Sequence, residues 1–277
     1  MPAVSSDAGT RAPTARSTST GVNATLAILD LLAARGPLAL SELARELPVA
    51  KSTIHRICTV LVDRAWAIRD EQGRFQLGIR ALALPGAASD LPVVMAFRTV
   101  AADLLTRHDE TVCLAVLDGE ESVYLAVEET SHPVRLVTSV GSRTPAFASA
   151  SGRVILSARS PSVIDASFGG RPLVTPTGRR LNGVAELRAI LDGVRRSGYA
   201  ENHGETAVGL YAASVPVQNA AGAVIAALTM CVPTSRLSPA RRESLLADLM
   251  EGGRRLSELV AWLPSYDARR PGAATSS

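Results

Sequence analysis

Cysteine is scarce in this 277-residue chain, and its three copies, Cys58, Cys113 and Cys231, lie far apart in apolar stretches. There is no Cys-x-x-Cys and no histidine pair at ligand spacing, so neither a disulfide framework nor a metal site is expected. An odd number of dispersed thiols reads as reduced, buried cysteine in a cytoplasmic protein. Aromatic residues make up 4% of the chain against 47% hydrophobic residues in all, so the cores must be packed from Ala, Leu and Val. Functions built on stacking, such as carbohydrate binding, are disfavoured. Lysine is nearly absent: Lys51 is the only one among 29 basic residues. A formal net charge of +3 cannot by itself drive nucleic-acid binding, so any such footprint has to be local. No run reaches the ~18 apolar residues of a membrane span. The opening MPAVSSDAGTRAPTARSTST has no apolar segment of signal-peptide length and reads as a disordered tail over 1–20, matched by a second tail over 265–277.

What is present divides in two. A helical period begins after Thr20-Gly21, with Val22, Leu26, Leu29 and Ala33 on one face and Ile28, Leu31 and Leu32 beside it, and it ends at Arg35-Gly36-Pro37. Short helices follow at about 41–47 and 51–64. Then the period changes to two: Trp66 and Ile68 alternate with Ala67 and Arg69, and Phe75 and Leu77 with Gln76 and Gly78, around the turn Asp70-Glu71-Gln72-Gly73. Three helices and a hairpin in about 60 residues is the element order of a winged helix-turn-helix, placed at 21–80. Residues 81–92 break at Pro85-Gly86 and read as a linker.

From 93 to 264 the pattern is α+β. A helix at 93–108 carries Val93, Phe97, Val100, Leu104 and Leu105 on one face. Two strands within 111–129 turn through Asp118-Gly119, a strong hairpin signal. The pattern further predicts a strand near 134–140, a helix near 152–158, a loop over 169–180, a helix at 183–197, strands near 210–217 and 223–232, and a closing helix at 238–261.

The segment LSELARELPVAKSTIHRICT, residues 40–59, carries the chemistry of the first half. Leu43, Leu47, Val49, Ile54 and Ile57 fall where two crossed helices must bury apolar groups, with Ala44 small at the crossing. The opposite face of the second helix offers Lys51, Ser52, Thr53, His55, Arg56 and Thr59, hydrogen-bonding groups concentrated toward the end that meets base edges in a major groove. Arg69 and Arg74 flank the hairpin tip, in reach of the adjacent DNA backbone or minor groove.

These residues carry a resemblance. KSTIHRICTVL followed by RAWAIRDEQGRFQLGIRALAL resembles the recognition helix and wing of the IclR family of bacterial regulators, with Lys51, Ser52, Thr53, His55, Arg56, Gly73, Arg74, Leu77, Gly78 and Arg80 at matching positions. The likeness covers roughly residues 20–264. It departs in the turn, where Pro48 stands in the family's glycine position and Ala50 in its proline position; proline cannot take the positive φ that glycine allows.

Downstream, TVCLAVLDGEESVYL, GSRTPAFASASGRVILSA, SGYAENHGETAVGLYAASVPV and AGAVIAALTM resemble the family's GAF-like effector-binding domain. The resemblance implies a small effector, an organic acid or aromatic metabolite, held between the loop before the short helix and the last two strands. Ala150, Ser151 and Gly152 would present backbone N–H groups to an anion. Leu136 and Leu210 would form an apolar wall, with Thr229 and Cys231 alternating onto one strand face. Asn202 stands where many relatives have an acidic residue, Ala212 where some are polar or sulfur-bearing, and Cys231 where serine is common. The expected pocket is therefore less charged and suits a larger or more apolar ligand.

Catalytic readings are weak. Ser149 and Ser151 near Gly152 do not make a Gly-x-Ser-x-Gly elbow, and His203 near Glu205 or His108 near Asp109 lack a nucleophile at suitable spacing. No glycine loop cradles phosphate, and no cofactor is expected. The combined expectation is a regulator, not an enzyme: a repressor in preference to an activator, binding double-stranded DNA at a pseudo-palindromic operator as a homodimer or homotetramer, with no membrane partner. The rival from another class is a protein-interaction module whose helix-turn-helix no longer binds DNA.

Overall fold

The computed structural model describes residues 15–81 and 91–264, with side chains from residue 21 onward. The chain divides into two compact units, Met1–Ala87 and Ala88–Ser277.

In the first unit, α1 (Ala15–Arg35), α2 (Leu40–Glu46) and α3 (Lys51–Asp63) precede a hairpin of β1 (Ala67–Arg69) and β2 (Phe75–Leu77). Helix α1 starts well before the predicted residue 22, so 15–20 is not tail. Between Pro13 and Pro37 the sequence has no proline to stop propagation, and Thr25 Oγ1 donates to Gly21 O at 2.8 Å. Its buried face also differs from the predicted one. Ala24, Ile28 and Leu32 go into the core, while Val22 (54% exposed) and Leu26 (55%) face outward. A band of apolar residues wider than one stripe left the choice of face to tertiary packing. Ile28, Leu32, Leu43, Ile54, Cys58, Leu61 and Phe75 form the core of this unit. Leu38, missed in the sequence reading, exchanges two backbone bonds with Phe75 (2.9 and 2.8 Å) and lengthens the wing. Ala65 leaves α3 at φ 57°, and a Cβ on Gly78 would lie 2.4 Å from its carbonyl oxygen, so glycine is required there.

The second unit is built on a six-stranded antiparallel sheet, in the order β5-β4-β3-β10-β9-β8. Its strands are β3 (Thr111–Asp118), β4 (Glu121–Glu128), β5 (Arg143–Pro145), β8 (Ala200–His203), β9 (Leu210–Gln218) and β10 (Val224–Pro233). Helices α4 (Pro92–His108) and α8 (Pro239–Leu259) cover one face, burying Phe97, Leu104, Leu114, Tyr211, Leu228, Leu249 and Leu256 in the main core. Gly252 and Gly253 of α8 allow that approach: a Cβ on Gly253 would stand 2.6 Å from Val215 Cγ2. The other face carries α5 (Ala150–Ser157), α6 (Pro161–Phe168) and α7 (Gly183–Ser197), with a two-stranded hairpin of β6 (Leu173–Val174) and β7 (Arg180–Leu181).

Two expectations differ from the structure. No strand forms over 134–140: Pro133 removes a donor, and the outer edge of β4 pairs instead with 143–145, at Glu121–Val123 only. The loop over 169–180 contains β6 and part of β7, and α6 and β8 were not anticipated, being too short to show a period. Among the described residues no helix is long and apolar enough to cross a membrane.

Candidate nucleic-acid interface and effector site

Helix α3 is locked by Ile54, Cys58 and Leu61, which are buried against Leu43 and Ile28. Burial raises the Cys58 thiol to about 11, leaving it an inert packing group. With that side fixed inward, Lys51, Ser52, His55, Arg56 and Thr59 are exposed and Thr53 is half-buried. Ala50, the N-cap, offers no side-chain acceptor to the first turn, where N–H groups add a positive dipole end to Lys51. Thr59 Oγ1 donates to His55 O (3.0 Å), turning that hydroxyl back toward its own helix.

The turn between α2 and α3 accommodates Pro48 without any left-handed residue. Leu47 is extended (φ −112°, ψ 132°), Val49 N donates to Leu47 O at 2.7 Å, and Ala50 follows at φ −57°, ψ 136°.

The two wing arginines are exposed and braced. Arg69 Nε donates to Gly73 O (3.1 Å), and its guanidinium lies 5.7 Å from the Phe75 ring centroid. Arg74 pairs with Asp70 (2.9 Å) and donates to Gln72 (3.0 Å). Both are held at the tip, and Arg74 would have to exchange Asp70 for a phosphate. Such an exposed pair contributes little to stability.

In the second unit, five of the eight predicted effector positions meet in one apolar cluster: Leu136, Ala150, Leu210, Ala212 and Cys231, with Val154, Ile155 and Ala227. The other three have polar partners. Asn202 is an internal strut: its Nδ2 donates to Ala148 O and its Oδ1 accepts from Glu205 N at 3.0 Å. A carboxylate here could not donate to Ala148 O, which accounts physically for the amide. Thr229 shares a 2.9 Å hydrogen bond with Ser214. Ser151 Oγ lies 2.7 Å from Ser122 Oγ of β4, while Ala148 and Arg153 reach β8, so the sheet curls round the start of α5 from both flanks.

Gly152 does not present a free N–H as expected: that group donates to Ser149 Oγ, the N-cap, at 3.1 Å. Glycine is needed for a different reason, since a Cβ would stand 2.3 Å from Ala146 Cα and O. The first-turn N–H groups left for an anion are those of Ala150 and Ser151.

Sequence reasoning missed the polar frame around this cluster. Arg153, 5% exposed at its side chain, pairs with Glu205 (7%) at 2.6 Å and donates to Phe147 O at 2.9 Å. Arg179 also binds Glu205. Arg153 Nη2 and Thr111 Oγ1 are buried without a hydrogen-bond partner, a state that costs about 1–3 kcal/mol for a neutral group and more for a charged one. Only the alternation of β3 could have pointed to Thr111, and it could not show that the hydroxyl would be unpaired. Hydrogen bonding to Cys231 and then burial push the Cys113 thiol well up, and burial with the two thiols nearby does the same for the Tyr124 phenol, so Cys113 and Tyr124 are neutral. Among the described residues, no three His, Cys, Asp or Glu side chains gather as metal ligands.

An exposed hydrogen-bonding helix on a winged scaffold, joined in one chain to a curled sheet around a helix start, has clear relatives. Residues 23–71 match the IclR helix-turn-helix domain, and residues 86–258 match the C-terminal domain of bacterial IclR transcriptional regulators. The chain belongs to the IclR family. It is 30% identical over 251 residues to the regulator BhcR of Paracoccus denitrificans, covering 88% of this chain and 87% of that one. It is 26% identical over 243 residues to KdgR of Escherichia coli, covering 85% and 90%. A solved IclR regulator from Silicibacter superposes with a TM-score of 0.77 at 26% identity, covering 87% of this chain and 96% of its own. This IclR-family protein is thus a DNA-binding transcription regulator, with a winged helix-turn-helix unit and an effector-type α+β unit.

Proposed function

We propose that this IclR-family regulator is a repressor that releases or tightens on its operator when a small organic acid enters the cluster around Ala150, Leu210, Ala212 and Cys231. The working boundaries are 21–80 for the DNA reader, 81–92 for the linker and 93–264 for the sensor. The observation that carries the DNA half is the face of α3: Lys51, Ser52, His55 and Arg56 are exposed on a helix whose other side is fully committed to the core. Lys51, Ser52 and the first-turn N–H groups take a phosphate, Thr53, His55 and Arg56 face base edges, Thr59 serves only as an acceptor while its hydroxyl donates to His55 O, and Arg69 and Arg74 of the wing reach the flanking backbone. A reader with one short recognition helix gains affinity by pairing half-sites, so a homodimer or homotetramer on a pseudo-palindromic operator follows.

Support for the sensor half comes from the buried cluster and from a solved IclR homologue of Microbacterium hydrocarbonoxydans, complexed with 4-hydroxybenzoate, whose fold this chain shares at a TM-score of 0.68 and 22% identity. A ligand favouring one of two states shifts operator affinity only by its differential affinity for them. A cytoplasmic location and the absence of catalysis belong to the same reading.

The test is an electrophoretic shift on DNA fragments flanking the gene, across a salt series. Specific retention that weakens steeply with salt is expected, with light scattering giving a multiple of 28.9 kDa. Absence of any specifically bound fragment would overturn the reading in favour of a protein-interaction module.

A further inference from the structure

The register of the large sheet lines up four residues from four strands. Thr111 of β3 faces Cys231 of β10, Cys231 faces Ala212 of β9, and Ala212 faces Asn202 of β8. Residues directly opposite in antiparallel strands point to the same side, so these four form one row beneath α5. Asn202 has both ends of its amide engaged by Ala148 and Glu205. Thr111 differs. It is 0% exposed, its Oγ1 has no partner, and a valine of the same shape would fill the position without an unpaired hydroxyl.

We propose that Thr111 is a specificity-determining residue of the effector site, its hydroxyl meeting a neutral hydroxyl on a mono-anionic effector whose carboxylate lies against the first turn of α5. This rests on the effector reading above. At the acid end, Ala150 and Ser151 N–H remain available, Arg153 carries a buried nitrogen without a partner, and Asn202 brings no repelling charge. The Thr111 end is different in kind. Its same-face residues are Cys231, Cys113 and Tyr124, none of them a cation, and the adjacent Glu110 is buried with its oxygens taken by Arg236 (2.5 Å) and Arg241 (2.8 Å). A second carboxylate would be stripped of water beside groups that offer it no charge, with both nearby guanidiniums already engaged by Glu110, so dicarboxylates are refused. Thr111 lies two strand spacings, about 10 Å, from Ala212. That span suits a hydroxylated aromatic acid or roughly a six-carbon hydroxy acid.

The experiment is titration calorimetry on the full chain with benzoate, its 3- and 4-hydroxy derivatives, hexanoate, 6-hydroxyhexanoate and adipate. At least one hydroxylated acid should bind about ten-fold tighter than its parent, a 1.4 kcal/mol difference, and adipate should not bind. Thr111→Val should unfold at no lower temperature, bind the parent acid unchanged and lose the ten-fold preference; Thr111→Ser should keep the preference. A preference that survives in Thr111→Val, or no binding by any acid of the panel, overturns the proposal. Ala212→Leu separates the two readings. If it abolishes binding while Thr111→Val keeps the preference, the site stands and the role of Thr111 falls. If it leaves binding intact, the site itself falls.

Discussion

The two places where this regulator gathers its polar side chains are built in opposite ways. On α3 the interacting groups run from Lys51 to Thr59, nine consecutive positions, and most are in water before a partner arrives. Under α5 the row of Thr111, Ala212, Cys231 and Asn202 is drawn from four strands and is buried throughout. A partner of α3 would displace water and counterions, whereas a ligand proposed for the row would have to enter a packed cluster. Substitution on the first surface is therefore expected to spare the fold and change affinity, whereas in the second region the proposed site and the fold share the same residues.

The sharpest way to break that contrast is to remove one charge from each region. Glu205→Ala strands the buried Arg153 guanidinium, so the second unit should lose about 3–5 kcal/mol in urea unfolding. Arg56→Ala, on the exposed face, should change stability by no more than about 0.5 kcal/mol. Comparable losses would refute the contrast. Next in size is a paired truncation within α3: Ile54→Ala should cost about 2–5 kcal/mol, and Val60→Ala, half-exposed, close to nothing. The same Arg56→Ala protein should bind operator more weakly by about 1–3 kcal/mol, while Lys51→Gln should weaken all sequences alike and reduce the salt slope by about one.

The smallest expected effect concerns the loop after β4. Asp109, at the left-handed end of α4 (φ 46°), accepts from Ser131 Oγ (2.6 Å), Ser131 N (2.9 Å) and Thr130 Oγ1 (2.8 Å). Those bonds favour its charged form and hold its carboxyl down at about 2. The folded value lies below that of an ordinary aspartate, about 3.9, so the stabilisation is complete above that value and is lost as the pH falls toward the folded one. Asp109→Asn should flatten the acid limb of the stability profile between about pH 5 and about pH 2. An unchanged limb would mean that the latch adds nothing.

Local signals made the first unit readable. A 3.6-residue period, a glycine-proline stop and a switch to period two each belong to a few adjacent residues, so α2, α3 and the wing came out close to their observed bounds. Helix α1 was the exception, because Leu and Ala surround it and only packing chose Ala24, Ile28 and Leu32 over Val22 and Leu26 as the inner face. In the second unit the long helices and the β9–β10 hairpin were equally legible. Valines near 134–140 imitated a strand, since alternation cannot reveal which segment will pair with a neighbouring edge.

Sequence alone determined the exposed half of the function: the helix-turn-helix, its hydrogen-bonding face and the family, because each is written in neighbouring residues. Through resemblance it also proposed Ala150, Leu210, Ala212 and Cys231 as effector positions, and the fold brings these four into one cluster. Only the tertiary structure decided that Asn202 is a strut, that Gly152 makes room for Ala146, that Arg153 and Glu205 pair in the interior, and that Thr111 completes a row with its hydroxyl unmet. Register across four strands is a property of the folded sheet, and no spacing along the chain encodes which hydroxyl is left without a partner.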